Sequence, residues 1–186
     1  MTNRKNLTID QRTLLNNLTR EMFQTETSAL RHSNREADRY DDSASPAAAL
    51  RGVATHAERV LSELPGLAER NGMIVSNGGI LVGELFSQGR DKLADLLIDR
   101  ERSYRGTLLG MRHGLDVFRL MHEFSQVVHN YELRDFTKQW LAERMPLVQR
   151  VEEQLAWFAQ NAEVAIRLGG GAWGPRLRGL TRLIAH

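Results

Sequence analysis

Cysteine is absent from the 186 residues. That absence removes disulfides, thiolate metal sites and cysteine nucleophiles together, and it fits a reduced, cytoplasmic setting. No stretch reaches the ~18 consecutive apolar residues of a membrane span. The opening MTNRKNLTIDQ lacks the apolar run of a secretory leader. Lysine is scarce: 22 of the 25 basic residues are arginine. Residues 169–186 hold no acid, so Arg176, Arg178 and Arg182 stand uncompensated, and the preceding 168 residues sum to −1 of the overall +2. The body therefore carries no strong nucleic-acid signal, which would need a concentrated basic face. No G-x-S-x-G elbow and no phosphate-binding Gly-Lys-Ser/Thr or G-x-G-x-x-G pattern occurs, and Gly78-Gly79 reads as a plain turn.

What is present is helical periodicity. With 41% hydrophobic and 26% charged residues, the chain suits one domain with a sizeable core. Thr8-Ile9-Asp10-Gln11 is a capping-box pattern, and Leu15, Leu18 and Met22 follow at helical spacing. Beyond Thr25 this helix A turns polar, so its second half is expected to be solvated or packed only on one edge. Pro46 fits the first turn of helix B. Leu50, Val53, Ala57, Leu61, Leu64 and Leu67 draw its stripe, Pro65 predicts a kink, and Asn71-Gly72 predicts the stop. Leu81, Leu85 and Phe86 suggest a short helix before Gln88-Gly89. Helix C is expected over 91–130, with a break near 99–104 and a seam through Gly110, Gly114, Phe118, Met121, Ser125 and Val128. Helix D is expected over 132–168, kinked at Pro146, with Leu141, Met145, Val148, Val151, Leu155, Phe158, Ala162 and Ala165 inside. The fold class is all-α, an antiparallel four-helix bundle over 1–168. Residues 169–186 form a Gly-rich linker and a short basic amphipathic helix.

The layout resembles the ferritin-like superfamily, and within it the bacterial stress-associated ferritin-like proteins. The likeness covers roughly residues 10–160. It rests on Ala49-Leu50-Arg51-Gly52-Val53-Ala54-Thr55-His56, on Arg112-His113, and on Val151-Glu152-Glu153-Gln154-Leu155-Ala156-Trp157-Phe158-Ala159. The resemblance implies a dinuclear metal centre built from glutamates and two Glu-x-x-His pairs, because i and i+3 share a helix face. None of the 23 acids is followed three places later by His. Arg112-His113 stands where relatives offer Glu-His, and an Arg in the core would repel a dication. The expectation is therefore no metal and no cofactor. A non-standard site, if formed, would draw on His56, His113, His122, His129, Glu21 and Glu26.

The histidines read more simply as boundary residues hydrogen-bonded to polar neighbours. The i, i+7 spacing of His122 and His129 separates them by about 10.5 Å along the axis, too far for one ion. His113 and Asp116 read as a local ion pair. Gly106, Gly110 and Gly114 form a small-residue stripe at i, i+4, i+8, which permits close contact with helix B or D or, alternatively, a dimer seam. Trp173, Leu177, Leu180 and Ile184 with the three arginines either fold back over the bundle or meet a partner or an anionic membrane. The functional expectation is a non-catalytic, stress-associated interaction protein. It would form a homodimer or bind an unidentified protein, with a metal protein or oxidoreductase as one alternative and a weak membrane or nucleic-acid binder as another.

Overall fold

The computed structural model describes residues 7–41, 43–73 and 98–168. All the regular elements in that range are helices: α1 (Ile9–Ala37), α2 (Ser45–Arg70), α3 (Arg100–Val127), α4 (Tyr131–Glu153), α5 (Leu155–Gln160) and α6 (Ala162–Ala165). Among the described residues, no helix is long and apolar enough to cross a membrane. The short helix expected near Leu81 and the whole of 169–186, with Trp173, Arg176, Arg178 and Arg182, lie outside the described residues.

Local chemistry sets the helix ends. Thr8 accepts from the Gln11 amide at 3.1 Å while the Gln11 side chain accepts from the Thr8 amide at 3.0 Å, closing the capping box. Helix α2 stops as its sequence predicts: Gly72 takes φ 60°, and Met73 N–H reaches back to Ala68 O at 2.9 Å. Helix α3 stops the same way without glycine. His129 takes φ 52°, and Asn130 N–H bonds Ser125 O at 2.8 Å. The two ends are stitched together, Asn130 Nδ2 donating to Asn71 Oδ1 at 2.8 Å and Asn71 Nδ2 to Glu132 at 3.0 Å.

Helix α1 packs on α2 and α3, and α4 packs on the same two. The start of α3 meets the end of α4 where Tyr104 donates to Val151 O at 2.9 Å. The end of α3 meets the start of α4 where His122 Nδ1 lies 3.1 Å from Thr137 Oγ1. The α2 stripe is buried as expected at Leu50, Val53, Ala57, Leu64 and Leu67, with Val60 joining it and Leu61 at the margin. Each such large side chain contributes about 1.5–3 kcal/mol as an upper estimate. Pro65 lies inside a helix that runs through to Arg70.

Two expectations need correction and a third is decided between its alternatives. The second half of α1 is packed along one edge, not solvated: Glu26, Ser33, Glu36 and Ala37 are buried while Ser28 and Arg31 are exposed. The inward stripe continues in polar residues, of which Glu26 and Glu36 have polar partners. Glu36 accepts from Tyr40 at 2.8 Å and from Ser103 at 2.7 Å. Burial and the Glu36 charge hold the Tyr40 phenol above its usual range.

Helix D is not continuous. It breaks at Gln154 and again at Asn161, whose φ −122°, ψ 56° leaves the helical region. The breaks allow Trp157 and Phe158 to reach Tyr40 edge-on, at 6.2 and 5.9 Å between ring centroids.

The inner face of α4 is also rotated from the expected one. Met145 is 46% exposed, and Leu141 is only partly buried. Leu133, Thr137, Trp140, Arg144, Val148 and Val151 point inward instead. The reason is Trp140, which stacks on Phe118 at 3.6 Å and 8°. Seating the largest ring in the core carries residue 144, one turn on, in with it.

Candidate functional site

The apolar core therefore encloses a buried ion pair. Arg144 is 2% exposed and Glu26 is 1% exposed, and Arg144 Nη2 donates to Glu26 Oε2 at 2.5 Å. The guanidinium also lies over the Trp140 ring, 5.1 Å from its centroid. Helix α1 presents Glu26 four residues beyond Met22, in register with its apolar stripe. Burial pushes the Glu26 carboxyl up to about 7, against the opposing pulls of Arg144 and the Trp140 indole. Burial likewise lowers Arg144, again against its partner's charge.

Helix α2 adds His56, buried and 6.1 Å from the Trp140 ring centroid. Its Nε2 sits 3.2 Å from Glu143 Oε2. Burial, with Arg144 and Arg59 nearby, lowers His56 to about 4, so its imidazole is neutral at pH 7. Glu143 is held below its ordinary value, first by the Gln139 amide and then by Arg59 and His56. Arg59 reaches both Glu143 and Glu63. The charges thus run from a fully buried pair at the centre to a solvated trio at the α2–α4 surface.

Of the six candidate ligands, only Glu26 and His56 face this centre. Glu21 lies half-buried on α1. His113 is exposed, and the expected pairing with Asp116 is not formed, because Asp116 pairs with Arg119 at 3.1 Å. His122 is held by Thr137 and the Arg134 carbonyl, and His129 is exposed at the α3 terminus. Among the described residues, no three His, Asp or Glu side chains converge as metal ligands. The donor set does not fit a cation: the carboxylate on α1 already faces a guanidinium. Arg112 is on the surface, on the face of α3 opposite its seam, and pairs with Glu152 at 2.6 Å. The arginine that fills the interior is Arg144, which apolar-spacing arguments passed over. Its signal in the sequence was its place four residues after Trp140.

The glycine stripe divides. Gly114 packs against Thr25 Cβ on α1, where a methyl group would meet it at 3.6 Å. Gly106 and Gly110 have open space above them, so neither makes the close contact with α2 or α4 that their spacing suggests. They line a groove of about 350 Å³ between α1 and α3. A second, wider groove of about 800 Å³ runs between α3 and α4.

Comparison with protein-family models, curated proteins and solved structures finds no match to this chain.

Proposed function

We propose that the chain is a non-catalytic, ferritin-like four-helix bundle, antiparallel throughout, that acts by associating with protein in a stress-related setting. One observation carries the reading: Arg144 places a permanent cation beside Glu26 at the centre of the bundle. A buried carboxylate needs a countercharge, and in a metal-loaded bundle the ions supply it. Here the chain supplies it, and the neighbouring His56 lies with its Nε2 3.2 Å from Glu143 Oε2. The helix contacts support the bundle arrangement, with Tyr104 meeting Val151 at one end of the α3–α4 pair and His122 meeting Thr137 at the other. Metal analysis and sedimentation of untagged protein test the proposal. The expected result is far less than one iron, manganese or zinc per chain and a mass above that of the monomer. Stoichiometric metal, or a strict monomer that captures no protein, overturns it.

A further inference from the structure

We infer that the outer groove between α3 and α4 is the seam of a homodimer, in which two copies pack these helix pairs face to face. This rests on the reading of the chain as an interaction protein and names the surface and the partner. The exposed apolar side chains are unevenly placed. Five of the eight large apolar side chains exposed among the described residues lie on this helix pair, Leu109, Leu120 and Val127 on α3 and Tyr131 and Met145 on α4, whereas Ile9 and Leu14 lie at the start of α1, Ile166 follows α6, and α2 exposes none. The 11- and 7-residue spacings put Leu109, Leu120 and Val127 on one ridge of α3. Beside that ridge, Leu115, Leu141, Met145 and Val148 line the groove. Met145 is there because Trp140 claims the inward face of α4, leaving a second apolar stripe outside.

Charge selects the occupant. The groove carries two in-chain pairs, Arg112 with Glu152 at 2.6 Å and Arg119 with Asp116 at 3.1 Å. The lining is thus electrically balanced, with both signs present along its length. A strongly acidic or basic partner finds no net field, whereas a second copy related by a two-fold axis presents the same mixture. Each guanidinium has N–H donors left over for the carboxylates of the opposite copy. The area is also adequate. Helix α4, with 23 residues, is roughly 35 Å long, and two helices about 10 Å apart span roughly 20 Å, giving about 700 Å² per copy. Specific interfaces bury about 800 Å² per partner.

The test is sedimentation velocity of the full chain across a concentration series. The wild type is expected to dimerise, and Leu120→Asp with Met145→Asp to raise the dissociation constant at least 100-fold. Leu14→Asp, an exposed site on α1, should change it less than threefold. Unchanged helical circular dichroism establishes that the variants fold. As a second reading, a cysteine introduced as Ala142→Cys should react with maleimide at least tenfold more slowly in the dimer than at monomeric dilution. Ala48→Cys on α2 should react equally in both. A dimer indifferent to Leu120→Asp/Met145→Asp, or one that leaves residue 142 equally reactive, overturns the seam while the proposed function stands. A chain that stays monomeric but captures another protein overturns the seam in the same way. A chain that stays monomeric and captures none overturns both.

Discussion

Replacing Arg144 by methionine isolates the energetics of the centre. The substitution keeps much of the stem volume over Trp140 but leaves Glu26, 1% exposed, without its cation. Breaking a buried pair from one side costs about 3–5 kcal/mol, and removing both charges together is often neutral or stabilising by about 1–4 kcal/mol. Arg144→Met should therefore lose about 3–5 kcal/mol at pH 8, where Glu26 must either stay charged in the core or bind a proton against the bulk pH. Glu26→Leu/Arg144→Met should fall within about 1 kcal/mol of the wild type or exceed it. The penalty also has a pH signature. Glu26 titrates near 7 in the fold against an ordinary 4.5, so the folded chain takes up the proton first as pH falls. Its contribution to stability is therefore most favourable below 4.5 and is lost as pH rises through 7. At pH 5 the single variant should lose markedly less than at pH 8. Urea unfolding followed by tryptophan fluorescence and circular dichroism gives these differences. A loss under 1 kcal/mol at pH 8, or a double variant as damaged as the single, would refute the argument.

Three further outcomes are expected. His56 titrates near 4 against an ordinary 6.5, so the unfolded chain binds its proton first and stability is lost as pH falls from 6.5 to 4; His56→Gln should flatten that limb of a pH–denaturation curve. The positive-φ ends give opposite signs, Gly72→Ala costing about 1 kcal/mol and His129→Gly stabilising by up to about 1 kcal/mol in thermal unfolding. Gly106→Ala and Gly110→Ala, with open space above each, should each stabilise by about 0.5–1 kcal/mol, and destabilisation of either would show that its groove is filled in solution.

The helices were legible wherever burial is apolar. The capping box at Thr8, the α2 stripe and the Asn71-Gly72 stop followed directly from spacing and turn chemistry. What escaped is where polar residues face inward. Glu26, Ser33 and Glu36 continue the α1 stripe, but a reading that scores apolar residues sees the stripe end. Arg144 was missed for the same reason, and Leu141 and Met145 were favoured because they keep a cleaner apolar period than Trp140 and Arg144. Only the stacking of Trp140 on Phe118, a contact between distant parts of the chain, decides the rotation. The breaks at Gln154 and Asn161 were equally hidden, since the spacing of Leu155, Phe158, Ala162 and Ala165 is uninterrupted. Among the candidate ligands, His56 and Glu26 were named only as residues a non-standard site could draw on; their burial and their partners across the core were not legible.

The antiparallel bridge between Asp99 and Leu168, reinforced by Arg100 N–H on the Arg167 carbonyl at 2.9 Å, gives the stretch from α3 to α6 a single doorway. Polypeptide enters and leaves it at neighbouring points, about 40 Å along α3 from the Asn71–Asn130 junction. Because the bridge ties the start of α3 to the residues after α6, fraying of these two ends should occur as one event, seen as matched hydrogen-exchange protection at Arg100 and over 162–168.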